Sequence, residues 1–136
     1  MRRTYHFFFI LSILLLWLPE LKAQTSYYED LQLVQIALND GNASESYRLA
    51  ANLVDNYSDS AQAWYTKSQV ERKFMQYRNA LLSINSALSI RPGTIPYMYH
   101  TAQLHYDLQH YNSCISYCDS VNAIDSTHLF SHILKA

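Results

Sequence analysis

The sequence contains few of the residues that interrupt helices. Its 136 residues include only two glycines, Gly41 and Gly93, and three prolines. An all-β fold with many short strands needs frequent turns, and glycine and proline usually supply them. The scarcity of both residue types therefore favours long helices joined by short loops.

The sequence also lacks an excess of positive charge, since its formal net charge is -1. Proteins that bind nucleic acids cluster Lys and Arg against the phosphates. The densest basic group here is Arg72, Lys73 and Arg78, which is typical of a solvated helix face. We therefore expect no nucleic-acid partner.

The first 23 residues have the pattern of a secretory signal peptide. Two arginines precede an apolar run at residues 7–18, and a short polar stretch follows it. We place the cleavage after Ala23, which predicts a periplasmic or secreted protein with a mature domain at residues 24–136. The run is short for a membrane span, which needs about 20 apolar residues. Membrane association is therefore expected only if the leader stays uncleaved.

The residues after the leader repeat with a period of 34. Residues 27–60, 61–94 and 95–128 align without gaps, and residues 129–136 begin a fourth repeat. Each full repeat has two apolar helical stretches around a polar break. Repeat position 20 is always small, as a close helix crossing requires: Ser46, Ala80 and Cys114. Two further columns are apolar and are predicted to pack between helices: Ile36, Val70 and Leu104 at position 10, and Leu53, Ala87 and Val121 at position 27.

This pattern resembles the tetratricopeptide repeat (TPR) family. The family motif has Trp at position 4, small residues at 8 and 20, Tyr at 17, Ala at 27 and Pro at 32. The middle repeat has a matching residue at each place: Trp64, Ser68, Ala80, Tyr77, Ala87 and Pro92. The first repeat departs most, with Asp30 in place of Trp, and the third has Ser126 in place of Pro. The resemblance implies an all-α fold, an α-solenoid of about three helix–turn–helix repeats in a right-handed superhelix, plus a partial fourth repeat.

In this family the first helix of each repeat lines a concave groove through positions 2, 5, 9, 12 and 13. The resemblance therefore implies a partner-binding groove with a column of glutamines beside tyrosines: Leu31, Gln35, Tyr65, Gln69, Arg72, Tyr99, Gln103 and Tyr106. Glutamine amides can donate to and accept from a peptide backbone, and tyrosine offers flat apolar area with a polar tip. The alternative is that glutamine is only a good helix former on a solvated face.

One subtype of the family binds carboxyl-terminal carboxylates with Lys and Asn of the first repeat and Lys and Arg of the third. Leu31 and Gln35 stand at the first two places, and Pro96 and His100 stand at the others. We therefore expect that this clamp is absent.

The remaining reactive side chains do not suggest catalysis or metal binding. Cys114 and Cys118 are four residues apart on a predicted helix, about 5 to 6 Å between Cβ atoms, whereas a disulfide needs about 3.8 Å. We predict buried, reduced thiols. His128 and His132 have a metal-site spacing but lack an intervening Glu and a third ligand. We predict a protein without enzymatic activity, cofactor or metal.

These observations lead to one functional hypothesis and two alternatives. We expect a non-enzymatic protein-interaction module or scaffold of the cell envelope, with a protein or peptide partner in the groove. A carbohydrate-binding module is one alternative, because tyrosines and amides also suit sugars. The other is a structural subunit of an envelope assembly, which would bind through the repeat ends. Because residues 129–136 give only about two helical turns, we expect either a shortened relative of a longer array or self-association through this end.

Overall fold

The computed structural model describes residues 24–136, which form seven helices and no strand. The predicted leader lies outside the described residues. Within them, no helix is both long enough and apolar enough to cross a membrane. The helices follow one another closely: α1 at residues 24–39, α2 at Ala43–Asn56, α3 at Ala61–Lys73, α4 at Tyr77–Ile90, α5 at Ile95–Asp107, α6 at Tyr111–Ile124 and α7 at Leu129–Lys135.

Each helix packs on its neighbours in the chain, and α3 with α4 and α5 with α6 form the most extensive pairs. The helices α3, α5 and α7 begin at Ala61, Ile95 and Leu129, which are 34 residues apart. The described residues therefore form an all-α helical solenoid, which confirms the predicted fold class.

Capping side chains define where several helices begin. The Oδ1 atom of Asn42 accepts a hydrogen bond from the Glu45 backbone N–H at 3.2 Å, before α2. The Oγ atom of Ser60 accepts one from the Ala63 N–H at 3.3 Å, before α3. These bonds satisfy N–H groups that have no partner inside the helix.

The turns after α1, α3 and α5 share one backbone geometry. Residues Gly41, Met75 and Gln109 all have positive φ, at 72°, 62° and 62°. In each turn the following N–H bonds back to a carbonyl five residues earlier, as Gln76 does to Glu71 at 2.8 Å. This is the Schellman ending, which favours glycine at the left-handed residue. Only the first turn has that glycine, so tertiary packing holds the other two in place.

The predicted small and apolar columns are buried, with one exception. Ser46, Ala80 and Cys114 are at most 2 % exposed, which confirms the close helix crossing at position 20. The position 27 column is buried as well. At position 10, however, Ile36 is 57 % exposed, so its predicted packing is wrong. Its equivalents pack against the preceding repeat, and the described residues before 27 supply no such repeat.

The core is divided into three clusters that follow the repeats. Trp64 packs against both the first and the second cluster and donates its Nε1–H to the Ser58 carbonyl at 2.9 Å. The third cluster contains Cys114 and Cys118 with Leu134 of α7 against it. One face of α7 is therefore buried, while its other face exposes Leu129, Phe130 and Ile133 by 62 to 64 %.

Candidate functional site: the groove along α1, α3 and α5

A cavity of about 390 Å³ lies along the odd-numbered helices. Its walls come from α1, α3 and α5, with one tyrosine from α4: Leu38, Tyr65, Gln69, Arg72, Lys73, Tyr77, His100, Gln103 and Asp107. Its size lies within the range of small-ligand sites. Most of the lining side chains are polar, so the cavity offers hydrogen bonds rather than only apolar area.

Arg72 links α3 to α5 across the cavity. Its Nε atom lies 2.6 Å from Oδ2 of Asp107, and its Nη1 atom donates to Oε1 of Gln103 at 3.1 Å. The Gln103 carbonyl oxygen is thus already bound, and its amide nitrogen remains as a donor. This pairing fixes the orientation of an amide that would otherwise be free to rotate.

A buried hydrogen-bond chain lies beneath this link. The Ser68 hydroxyl donates to the Ala80 carbonyl at 2.7 Å, so the Nε2 atom of His100, at 2.9 Å, must donate to the Ser68 oxygen. Burial, assisted by the positive charge of Arg72, lowers the pKa of His100 from 6.5 to about 4. His100 is therefore neutral at pH 7 and acts as a fixed part of the wall.

Tyr65 is positioned by two other rings. Its centroid lies 4.9 Å from that of Tyr97 and 5.3 Å from that of His100, the latter in edge-to-face geometry. Burial raises the pKa of Tyr65 above its usual value of 10.0. The phenol is therefore protonated at physiological pH and can donate or accept a hydrogen bond.

Lys73 has no carboxylate within 4.0 Å in the part of the chain that is described. Its Nζ atom donates to the Leu38 carbonyl at 2.5 Å, in the last turn of α1. A positive charge there also interacts favourably with the helix dipole. Lys73 nevertheless remains exposed, so the edge of the cavity keeps an uncompensated positive charge.

An aromatic cluster extends the groove toward α7. The ring centroid of Tyr99 lies 5.2 Å from that of His128 and 6.3 Å from that of Phe130. The rings of His128 and Phe130 are 6.2 Å apart. Tyr99 and Gln103 are four residues apart on α5, which places them on one helix face. The cluster is therefore next to the polar cavity.

The structure brings together half of the predicted groove residues. Tyr65, Gln69, Arg72 and Gln103 line the cavity. The other four do not line it: Leu31 packs on the first core cluster, Gln35 is exposed, Tyr99 belongs to the aromatic cluster, and Tyr106 contacts the ring of Tyr111 at 5.9 Å. Partner binding by all eight residues stays a prediction.

Sequence reasoning did not single out several residues that contribute to this surface. Lys73 and Asp107 stand at repeat position 13, a groove column for which no binding residue was predicted, and Lys73 was predicted only to lie on a solvated helix face. Arg72 and Asp107 have opposite charges and are one repeat plus one residue apart, a signal that could have revealed their bond. The burial of His100 depends on Ser68 and Ala80 from two other helices, and no local pattern indicates it.

The cysteines and the C-terminal histidines have structural roles. Cys114 and Cys118 are free and buried, as predicted, and burial raises the pKa of Cys118 to about 11. His128 Nδ1 accepts a hydrogen bond from the Ser131 N–H at the start of α7, whereas His132 Nε2 lies 3.0 Å from the Ser126 carbonyl. Between residues 24 and 136, no group of three or more His, Cys, Asp or Glu side chains is placed to hold a metal ion.

Solved structures with this arrangement of helices identify the fold. The TPR domain of Arabidopsis OM64 superposes with a TM-score of 0.74, covering 82 % of this chain and 92 % of that one at 6 % identity. The protein has a tetratricopeptide-type fold. No model of a known protein family matches the sequence, and no curated protein does.

Two further solved structures that superpose on this chain contain bound peptides. The first TPR of Spaghetti (RPAP3), bound to the HSP90 peptide SRMEEVD, has a TM-score of 0.75 at 8 % identity, covering 80 % of this chain and 86 % of that one. The Yersinia enterocolitica type III secretion chaperone SycD, in complex with a peptide of the translocator YopD, has a TM-score of 0.70 at 10 % identity, covering 81 % and 84 %. At these identities the likeness extends to the fold alone.

Proposed function

We propose that this protein is a non-enzymatic interaction module that binds an extended segment of a partner protein along α1, α3 and α5. One observation carries the proposal: the cavity of about 390 Å³ is walled by polar and aromatic side chains of the second and third repeats, and the first repeat contributes Leu38. An extended chain advances about 3.3 Å per residue and presents donors and acceptors throughout. A groove with polar side chains at successive repeats suits such a ligand.

The neighbours with bound peptides support the same proposal. RPAP3 holds an HSP90 peptide and SycD holds a peptide of YopD, and both structures superpose on this chain. The cavity of this chain has its own chemistry, with Arg72 tied to Asp107 and Gln103. The partner therefore has to be identified from this groove rather than taken from the neighbours.

We further propose that the protein acts in the cell envelope after export. The support is the pattern of residues 1–23, with two arginines, an apolar run and a polar stretch before Ala23. Fractionation of cells that express the full chain tests it, with N-terminal sequencing of the product. We expect an envelope or extracellular protein that begins at Gln24, and a cytoplasmic protein with an intact N terminus would contradict the proposal.

Peptide selection tests the binding function directly. The purified protein is challenged with a display library of random peptides of about twelve residues, which can run the length of the groove when extended. We expect enrichment of a defined set of sequences, and synthetic members of the set should bind in solution. A glycan array run in parallel tests the carbohydrate alternative. Enrichment of glycans without any peptide would contradict the proposal.

Three glutamines at repeat position 9 provide matched variants. Gln69→Ala with Gln103→Ala removes the two amides at the cavity, whereas Gln35→Ala removes the equivalent amide outside it. We expect about ten-fold weaker peptide binding for the double variant, the size of one or two hydrogen bonds. Gln35→Ala should bind like the unaltered protein. Equal losses in both variants would place the ligand elsewhere.

A further inference from the structure

The groove has two neighbouring parts with different chemistry. The first, which we call the polar junction, joins α3 to α5 through Arg72, Gln103 and Asp107. The second, the aromatic junction, joins α5 to α7 through the rings of Tyr99, His128 and Phe130. Both junctions use the same face of α5. A single extended ligand can therefore contact both.

The polar junction has an excess of positive charge and of hydrogen-bond donors. Arg72 and Lys73 carry two positive charges there, and Asp107 carries one negative charge. A guanidinium has five N–H donors, and the bonds to Asp107 and Gln103 use only two of them. The Arg72 side chain is 31 % exposed, so water or a ligand can reach the remaining donors. A carboxylate matches this arrangement, because it accepts hydrogen bonds and carries the opposite charge.

The aromatic junction exposes apolar area beside that charge. The Phe130 side chain is 62 % exposed and Ile133 on the next turn of α7 is also 62 % exposed. Tyr99 and His128 hold the Phe130 ring from the side. A bulky apolar or aromatic side chain of a ligand would bury this surface and gain edge or stacking contacts with the rings.

The spacing of the helices relates the two ligand groups to one another. Packed helices lie about 8 to 10 Å apart, and an extended chain advances about 3.3 Å per residue. Moving from the α3–α5 junction to the α5–α7 junction therefore takes about three residues of an extended ligand. Both side chains have to point toward the groove, and the side chains of an extended chain alternate between two faces. The two ligand residues should therefore be two or four positions apart, which a selection can measure.

We propose, on the basis of the peptide-binding function above, that the ligand carries an Asp or Glu side chain at the polar junction and a bulky apolar side chain two or four residues away at the aromatic junction. The carboxylate belongs to a side chain within the segment, so a free carboxyl terminus is not required. Pro96 and His100, at the places of a terminal-carboxylate clamp, are consistent with this: Pro96 has no cation, and His100 already donates to Ser68.

The peptide library described above tests the ligand chemistry. We expect the enriched peptides to share one acidic and one large apolar residue, separated by two or four positions as the helix spacing and the alternation of side chains require. A synthetic member with Glu replaced by Gln should bind about ten-fold more weakly, because it loses a charge-assisted bond. Amidation of its carboxyl terminus should leave the affinity unchanged.

Matched variants of the protein locate the two parts. Lys73→Gln should weaken binding of the acidic peptide about five-fold or more, as expected when one charge pair is removed. Binding of the Glu→Gln analogue of that peptide should be unaffected. Arg78→Gln removes the same charge from the exposed surface of α4, outside the cavity, and should have little effect. Phe130→Ala should weaken binding, whereas Leu129→Ala, which shortens an equally exposed neighbour and leaves the three rings in place, should not.

The outcomes separate this inference from the function on which it rests. Enriched peptides that lack an acidic residue, or that bind equally well after Glu→Gln, would overturn the inference and leave peptide binding intact. A requirement for the free carboxyl terminus would also overturn it. Failure to enrich any peptide, with light scattering showing a dimer that Phe130→Ala dissociates, would reject both and identify a second copy as the occupant of the aromatic junction.

Discussion

The polar junction and the aromatic junction connect successive pairs of the odd-numbered helices, yet they are stabilised by different forces. At the polar junction, Arg72 and the buried Ser68–His100 pair connect α3 to α5 by hydrogen bonds. At the aromatic junction, α5 meets α7 through contacts of the exposed Phe130 ring with the half-buried rings of Tyr99 and His128. A backbone that repeats every 34 residues therefore does not determine the surface chemistry of each repeat. The side chains at a few columns do.

This comparison predicts where substitutions should cost stability and where they should cost only binding. Groups at the polar junction that are buried and hydrogen-bonded should be structural. Groups at the aromatic junction that are exposed should be dispensable for folding.

The largest expected effect is at the buried part of the polar junction. Ser68→Ala removes the acceptor of His100 Nε2, and a buried donor without a partner costs about 1 to 3 kcal/mol. We expect that loss in the free energy of unfolding, measured by urea titration. The control is Ser89→Ala, since that hydroxyl is exposed and bonds only within α4. If both variants lose the same amount, the buried chain is not what stabilises the junction.

The second effect is the pH dependence of stability that His100 confers. Its pKa is about 4 in the folded protein and 6.5 ordinarily, so between these values the unfolded chain binds a proton that the folded chain excludes. Stability is therefore complete above pH 6.5 and falls as the pH drops toward 4, by up to about 3 kcal/mol. His100→Gln should flatten this part of the curve in thermal melts. His132→Gln, at an exposed residue, should leave it unchanged, and an equal flattening there would contradict the assignment.

Glu71 should act in the opposite direction in the same melts. Burial raises its pKa above 4.5, although the Ser83 hydroxyl donates to its Oε2 atom at 2.7 Å. The folded chain therefore holds a proton more readily than the unfolded chain, so this group disfavours folding as the pH rises above 4.5. Glu71→Gln keeps an acceptor for Ser83 and should raise the melting temperature at pH 7 by a few degrees. A lower melting temperature would show that the charge itself stabilises α3 against α4.

A smaller gain in stability should be the same in the second and third repeats, because the turns after α3 and α5 share one backbone geometry. Met75→Gly and Gln109→Gly each place glycine at a left-handed residue, and each should add about 0.5 to 1 kcal/mol to the free energy of unfolding. Gln76→Gly is the control, because φ at Gln76 is −85° and glycine there only adds freedom to the unfolded chain. Gains that differ widely between the two turns would show that they are not equivalent.

The smallest effect on stability should come from the aromatic junction. Phe130→Ala removes a ring that is mostly exposed, so we expect the free energy of unfolding to change by less than about 0.5 kcal/mol. Calorimetry on this variant, beside a binding assay with an enriched peptide, separates folding from binding. A loss as large as that of Ser68→Ala would remove the distinction between the junctions.

The sequence predicted the architecture because the repeat columns carry it. Trp64, the position 20 column and the position 27 column pack as their spacing indicates. The predicted burial of Ile36 was wrong, because a residue at position 10 is buried only where the helices of a preceding repeat cover it. The groove was predictable only in part. A repeat position indicates the helix face on which a residue lies, but it does not indicate the hydrogen bonds that the residue makes to a neighbouring helix. The pairing of Arg72 with Asp107, and the ring contacts of Tyr106 with Tyr111, depend on how far apart the helices lie.

Self-association through the C-terminal end stays a prediction. The exposed apolar side chains of α7 are compatible with it. The same surface contributes Phe130 to the aromatic junction, so a dimer through this end would compete with a peptide. Light scattering with and without an enriched peptide distinguishes the two.

Hydrogen exchange of the protein with and without an enriched peptide tests the central claim most directly. Binding along the groove should slow amide exchange in α1, α3, α5 and α7, which line the cavity and the two junctions, and leave α2, α4 and α6 unchanged. Protection confined to α2, α4 and α6 would place the ligand on the opposite side of the solenoid and contradict the account.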